Sequence, residues 1–424
     1  MNLIDENWRD KIAKRCGGRE FDKPGTGYSF SSVLAEEREL RKGNIVGDPT
    51  SALCALSIAD PTWKMPHDDF KAGEEYYNSS ANATRYTDNN GIVGTHEGIA
   101  DYLNRNFSSS VTSPFTPDWV QYSPGSIKRL LAEYIPSALF DENTVLFFPD
   151  PGYGVIKSAI NNHGATVKNI PINLDNKQFI DLESLNLDSS KKNILYLNIP
   201  HNPSGATYGF DEWKVIIDWA IDKNVILVVD EAYTNLRFDE SYSVLDIPGW
   251  EQCCIVLQSV SKGWNATGLR FGWAIAHPTV IKALRTVMDV KDSGLFGPSI
   301  AMGLQCLRDE VFALETCDRY ATLHRVLLQG LNAAGFKASM PGAGLCQFTP
   351  GPKSANGTVF ANSTECAQWL RKELRISLMH YTMDNNPWLR WAVTIAPTIE
   401  CGLPDEKAVI SEVVRRLQSV KFEF

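Results

Sequence analysis

The chain has 424 residues, 43 % of them apolar, with 30 glycines and 22 prolines. That balance describes a globular protein with a substantial core, and the length alone suggests about three domains. A formal charge of −9 without any basic run excludes a nucleic-acid-binding role, and no apolar stretch is long enough to cross a bilayer. Nine cysteines, odd in number and scattered, read as reduced residues of a cytosolic protein. None of the seven histidines sits at metal-ligand spacing, so no metal site is expected. The polar segment Met1 to Arg15 lacks the apolar core of a signal peptide.

In chain order, residues 1 to about 63 are mixed and loop-rich, with an amphipathic piece near Phe30 to Arg41 and a short strand-like run from Leu56 to Trp63. The polar loop Tyr86 to Gly91 precedes a helix around Gly94 to Arg105. Ser123-Pro124-Gly125-Ser126 opens another helix, whose Ile127, Leu130, Leu131, Tyr134 and Ile135 share one face. Its amino terminus offers free N–H groups to an anion, although plain capping by Ser126 explains the same pattern.

An apolar run, a Gly- or Pro-rich loop and a helix then recur. Val145 to Phe148 ends in the loop 149–154 carrying Tyr153, Ile194 to Ile199 ends at Asn202, and Val225 to Val229 ends at Asp230 and Tyr233. The run Cys254 to Leu257 ends in Gln258-Ser259-Val260-Ser261-Lys262. Continuous apolar strands alternating with helices such as Asp211 to Asp222 imply an α/β fold with a largely parallel sheet covered on both faces. Ligands of such sheets bind beyond the strands' carboxyl ends, where these polar residues gather. Singly, each has a plainer explanation: Asn202 shapes a turn, Asp230 caps a helix or pairs with an arginine, Tyr153 packs on the core. Together, hydroxyls and Arg270 suit a phosphate, and a lysine among apolar side chains and near a cation becomes a nucleophilic amine.

The motifs Pro200-His201-Asn202-Pro203-Ser204-Gly205, Asp230-Glu231-Ala232-Tyr233, Ser259-Val260-Ser261-Lys262 and Thr267-Gly268-Leu269-Arg270-Phe271-Gly272-Trp273 resemble those of the class I/II aminotransferases. These are fold-type I pyridoxal-phosphate enzymes, and the wording is nearest their diaminopimelate-type branch. Order and spacing match from about Leu56 to Ala396.

The resemblance implies a cofactor, pyridoxal 5′-phosphate, carried by Lys262 as an internal aldimine, with Lys262 then moving the proton between substrate and cofactor. It places Asp230 at the pyridine nitrogen, Asn202 and Tyr233 at the phenolic oxygen, and Tyr153 on the ring face. It gives the phosphate to Ser259, Ser261, Arg270 and the N–H groups at Gly125, Ser126 and Ile127. Arg390, in Pro387-Trp388-Leu389-Arg390-Trp391-Ala392, corresponds to the arginine that forks onto the substrate α-carboxylate, with backbone near Ala59 facing the same group and Asn202 also counted among the substrate-binding residues. Tyr86 corresponds to a tyrosine reaching the phosphate of a neighbouring subunit, which makes the expected assembly a homodimer with shared sites.

Three departures stand out: Ala59 where the family has Gly, Thr95-His96 where it has Leu-Arg, and Asn265 where the branch has Gly. The first two fall at substrate and dimer contacts, where specificity is set, and leave the cofactor contacts intact. The expected domains are an N-terminal arm with part of a small domain (1–63), a large cofactor-binding domain (64–305) and a small α+β C-terminal domain (306–424). The expected reaction moves an amino group from an α-amino acid to a 2-oxo acid. The alternative on the same scaffold is a β-lyase, decarboxylase, cyclase or oxidase. A regulator built on this fold carries a DNA-binding module, for which the first 60 residues are too short and too acidic.

Overall fold

The computed structural model describes residues 29–107, 114–174 and 179–424. Its main feature is a seven-stranded sheet built from β1 (Val120–Pro124), β2 (Thr144–Asp150), β3 (Thr166–Pro171), β4 (Lys192–Asn198), β5 (Val225–Asp230), β6 (Cys254–Ser259) and β7 (Phe271–Ile275). In space the order is β1-β7-β6-β5-β4-β2-β3. Neighbours from β3 through β6 run parallel, while β7 runs against both β6 and β1. The connection from Ser259 to Phe271 is a run of turns with one 3-10 turn over Thr267–Leu269, without the α-helix that usually carries the crossover to a parallel neighbour.

The expected largely parallel sheet is therefore observed, and the four apolar runs are its central strands. Leu146, Ile194, Val228, Ile255 and Leu257 are buried in one cluster that also takes in Leu130, Leu131, Tyr134 and Ile135. Cutting one of these leucines or isoleucines back to alanine costs about 2–5 kcal/mol. The helix expected over 211–222 runs Phe210–Asp222, with Trp213, Ile216, Ile217 and Ala220 buried. Those predicted near Phe30–Arg41 and Gly94–Arg105 are Ser29–Arg41 and Thr95–Phe107.

The Leu56–Trp63 run is not a strand. Pairing is limited to Cys54–Ala55 against Ile376–Ser377, and further on Pro61 has no N–H to offer a ladder. The helix opened at Ser126 is also less regular than its pattern suggests. It runs Ser126–Arg129, loosens into a π-turn over Leu130–Tyr134 and resumes as Ile135–Leu139. Pro136 lacks the N–H that would bond one turn back, and the wider turn accommodates that loss.

The described residues divide into two compact units, 59–328 with 338–348, and 29–58 with 329–337 and 349–424. One of the divisions between them falls within the helix Glu310–Ala333. The first unit holds the large sheet. The second contains the antiparallel hairpin Met379–Met383 with Asn386–Ala392, the helix Ser363–Glu373 and the helix Glu406–Gln418. Its core includes Trp391, edge-on to Phe336 at 5.2 Å and bonded through Nε1 to Thr349.

Candidate active site

Strands β4, β5 and β6 end side by side, with Asn198 opposite Asp230 and Asp230 opposite Leu257. This register delivers the polar residues that follow each strand to one edge of the sheet. Asn198 ties two of them together: its Nδ2 donates to the Asp230 carbonyl at 3.0 Å, and its Oδ1 accepts from the Asn202 N–H at 2.9 Å.

The Asp230 side chain is 1 % exposed. Its Oδ2 accepts from the Tyr196 hydroxyl at 3.0 Å and its Oδ1 from the Ala232 N–H at 3.1 Å. No arginine is among these partners, so the plain ion-pair explanation for Asp230 does not apply. Burial pushes its carboxyl up to about 7, against the two hydrogen bonds, which favour the ionised form. A buried carboxylate in that state suits a cationic N–H donor. Asn202 Nδ2 and Tyr233 Oη lie 3.5 Å apart on neighbouring loops. Tyr153 is half-buried on the loop beyond β2, packed against the core cluster that contains Phe148 and Tyr196.

Lys262 lies on the turn after β6, and its Nζ donates to the carbonyl of Ala59. Two residues predicted for different tasks thus meet within one unit. Ala59 itself is buried.

The predicted anion-binding residues also come together. Gly125 has φ 93° and Ser126 φ 63°, both left-handed. Gly125, not Ser126, stands at the helix start, and no side-chain cap is made there. Ser126 Oγ instead faces Ser261 Oγ at 3.4 Å, and the Ser261 N–H points to Ser259 Oγ at 3.4 Å. Arg270, itself at φ 56°, donates to the carbonyls of Gly125 at 2.8 Å and Thr267 at 2.9 Å. The Gly125 N–H returns a bond to the Arg270 carbonyl at 3.0 Å. A Cβ on Gly272 would stand 3.0 Å from both Ser126 Oγ and the Gln258 carbonyl, so glycine is what lets β7 pass this close. Ile127 is buried just inside the helix. Three hydroxyls, a guanidinium and the N–H groups of a helix start fit a phosphate.

In the other unit, Arg390 lies on the strand Asn386–Ala392, is 3 % exposed and donates to the Ser57 carbonyl. The Ser57 hydroxyl in turn donates to the buried Glu37. Tyr86 is 91 % exposed, on a loop held by the bond from Thr87 Oγ1 to the Leu295 carbonyl at 2.6 Å.

Sequence reasoning passed over Tyr196, Asn198 and Glu231. Tyr196 and Asn198 are polar-tipped residues inside an apolar run, and that was their available signal. Glu231 is fully buried and accepts from Ser243 Oγ, the Val244 N–H and Gln258 Nε2. Two departures gain a physical reading. Asn265 has φ 52°, in the region open to Gly and Asn, which explains their exchange. His96 is buried, and burial, then Arg285, depresses its imidazole to about 4, so it is neutral where an arginine would carry charge.

A family model described as "Aminotransferase class I and II" matches residues 54–399. An LL-diaminopimelate aminotransferase of Methanocaldococcus jannaschii is 31 % identical over 420 residues, spanning 97 % of this chain and 98 % of that protein. Its namesake from Methanococcus maripaludis is 28 % identical over 418 residues, 97 % and 98 % of the two chains. Among solved structures, an aspartate aminotransferase from Thermotoga maritima superposes with a TM-score of 0.78 at 20 % identity, covering 96 % of this chain and 99 % of that one.

Proposed function

The chain belongs to the class I and II aminotransferases, pyridoxal-phosphate enzymes, and from that premise we propose that Lys262 is the residue whose amine attaches the cofactor and moves the substrate proton. The bound cofactor supplies an electron sink conjugated to the amino acid's α-carbon. The protein's contribution is placement and charge. Asp230 holds a proton at the ring nitrogen, and among the described residues no arginine pairs with its carboxylate, which is left available for that bond. Asn202 and Tyr233 donate to the phenolic oxygen, Tyr153 covers the ring, and Gly125, Ser126, Ile127, Ser259, Ser261 and Arg270 grip the phosphate. Arg390 receives the substrate α-carboxylate through its planar fork, and Ala59 and Asn202 are the other residues assigned to substrate binding.

The observation that carries this reading is the convergence of Lys262, the buried Asp230 and the Ser126–Ser261–Arg270 cradle within one unit. Borohydride reduction of the loaded protein followed by peptide mapping tests it: the label is expected on Lys262, and a label on another lysine overturns the assignment. The donor substrate is an α-amino acid, the acceptor a 2-oxo acid. The relatives' name makes LL-diaminopimelate the first donor to try. An aminotransferase given an amino acid alone accumulates the pyridoxamine form; release of ammonia or uptake of oxygen instead selects the lyase or oxidase alternative. Replacing Arg390 with Lys is expected to lower kcat/KM for α-amino acids about 100-fold, because a point charge cannot replace the fork.

The assembly proposed is a homodimer in which Tyr86 reaches the partner's phosphate. Its support is a set of exposed apolar side chains. Phe70 and Tyr77 lie on the helix His67–Ser79, and Tyr86 and Val93 on the loop that follows it. Phe296 stands just before the helix Gly297–Cys306, which packs on His67–Ser79 through Gly73 with Met302 and Gly297 with Tyr76. No described helix is long and apolar enough to cross a membrane. A cytosolic location is proposed from the scattered cysteines, which form no disulfide among the described residues. Sedimentation at micromolar concentration, with Tyr86→Phe weakening cofactor retention, checks the dimer and its shared site.

A further inference from the structure

Strand β4 is an apolar strand of the sheet interior, yet it carries a phenol at Tyr196. That side chain is 1 % exposed, and its ring lies parallel to Phe148, with centroids 5.8 Å apart and 1° between planes. Phenylalanine would fill the same space. The hydroxyl alone distinguishes the two, and it reaches the Asp230 Oδ2 at 3.0 Å, while Oδ1 is fixed by the Ala232 N–H. We propose that Tyr196 is a positioning residue whose hydroxyl donates to Asp230, holding the carboxylate ionised and oriented for the ring nitrogen of the cofactor. The inference rests on the Asp230 role proposed above.

The charge balance supports this geometry. Burial, and next the Asp230 charge, keep the Tyr196 phenol well above its usual range, so it remains a donor. Burial raises Asp230, and the Ala232 N–H and Tyr196 hydroxyl oppose that rise. The titratable groups around the pair are Tyr153 on the loop beyond β2, Tyr233 beyond β5, and Glu231 next in sequence. The hydrogen bonds that lower the Asp230 carboxyl come from the Ala232 N–H and the Tyr196 hydroxyl. Without the phenol, the carboxylate becomes the stronger base and the proton shared with the ring nitrogen moves toward it. The ring then withdraws electrons less strongly.

The test is Tyr196→Phe, which keeps the stack on Phe148 and deletes the donor. In cofactor-free protein labelled with 13C at aspartate carboxyls, the Asp230 signal, assigned by its loss in Asp230→Asn, is expected to titrate about one pH unit higher than in the parent. In loaded protein without substrate, the pH midpoint of the cofactor's visible absorbance is expected to rise as well. A fluorinated tyrosine at position 196, a stronger donor, is expected to move both midpoints the opposite way, a sign change that a general loss of folding does not produce. If neither midpoint moves, or the carboxyl moves and the absorbance does not, the proposal is overturned. Asp230→Asn separates the two ideas: if it changes the absorbance while Tyr196→Phe does not, the Tyr196 role fails and the Asp230 role stands. If Asp230→Asn changes nothing, the Asp230 role fails too.

Discussion

Two buried carboxyls in the same unit have similar burial and opposite surroundings. Asp230, at the end of β5, is 1 % exposed, and so is Asp69 on the helix His67–Ser79. Burial raises both, Asp230 to about 7 and Asp69 to about 6. Asp230 has a donor on each oxygen. Among the described residues no nitrogen or oxygen donor reaches either oxygen of Asp69; the Cys306 thiol lies beside it, and Asp309 adds like-charge repulsion. A raised carboxyl is therefore not in itself the mark of a site. What distinguishes Asp230 is a set of donors arranged to keep it charged, at the carboxyl end of a strand.

The largest expected effect separates the two by chemistry. Asp230→Asn removes the anion from the ring nitrogen and should lower kcat on the order of a thousandfold, while Asp69→Asn should leave kcat within about twofold. Steady-state kinetics with one amino donor decides it, and a comparable loss in both variants breaks the distinction.

Glu231 sharpens the comparison from the other side. It adjoins Asp230 and is fully buried, but its oxygens are taken up by Ser243, Val244 and Gln258, with Arg237 at 3.7 Å. These bonds fasten the loop after β5 to β6. Glu231→Ala leaves their donors buried and unpaired, and should cost about 3 kcal/mol in denaturant unfolding. Turnover per folded molecule should change much less than in Asp230→Asn.

How far these differences were legible in the sequence follows from the same physics. Asn202, Asp230, Lys262 and Arg270 stood out because each breaks a rule, a polar residue or a Gly-rich turn directly after an apolar run. Tyr196 did not, since a tyrosine inside a strand satisfies strand propensity whether or not its hydroxyl has a task. Asp69 sits in His67-Asp68-Asp69-Phe70, where a solvated helix start is the natural reading, and its burial depends on packing against Gly297–Cys306 that no local pattern reveals. The Ser126 turn was read correctly as a helix start; of its two explanations, capping by Ser126 does not apply, since Gly125 holds the cap position without a side-chain bond and Ser126 Oγ faces Ser261. No local pattern marks the division between the units inside the helix Glu310–Ala333, which runs through it without interruption.

The smallest effect is a difference in pH dependence. For Asp69 the folded value of about 6 lies above the ordinary carboxyl value of 3.8. Between those values the folded chain holds a proton that the unfolded chain has released, so stability falls as pH rises through that window and is level outside it. Asp69→Asn should remove this slope, and the melting temperatures of parent and variant should diverge progressively from about pH 4 to 6 and then run parallel. Asp230 contributes a slope of the same sign in the cofactor-free protein, extended to about pH 7. A cationic ring nitrogen stabilises the Asp230 carboxylate in the folded state, so loading the cofactor should flatten the stretch between pH 6 and 7 and leave the Asp69 slope unchanged. Thermal melts of free and loaded protein across pH 4 to 8 read both at once. A slope between pH 6 and 7 that survives loading would mean that no positive charge has come to face Asp230.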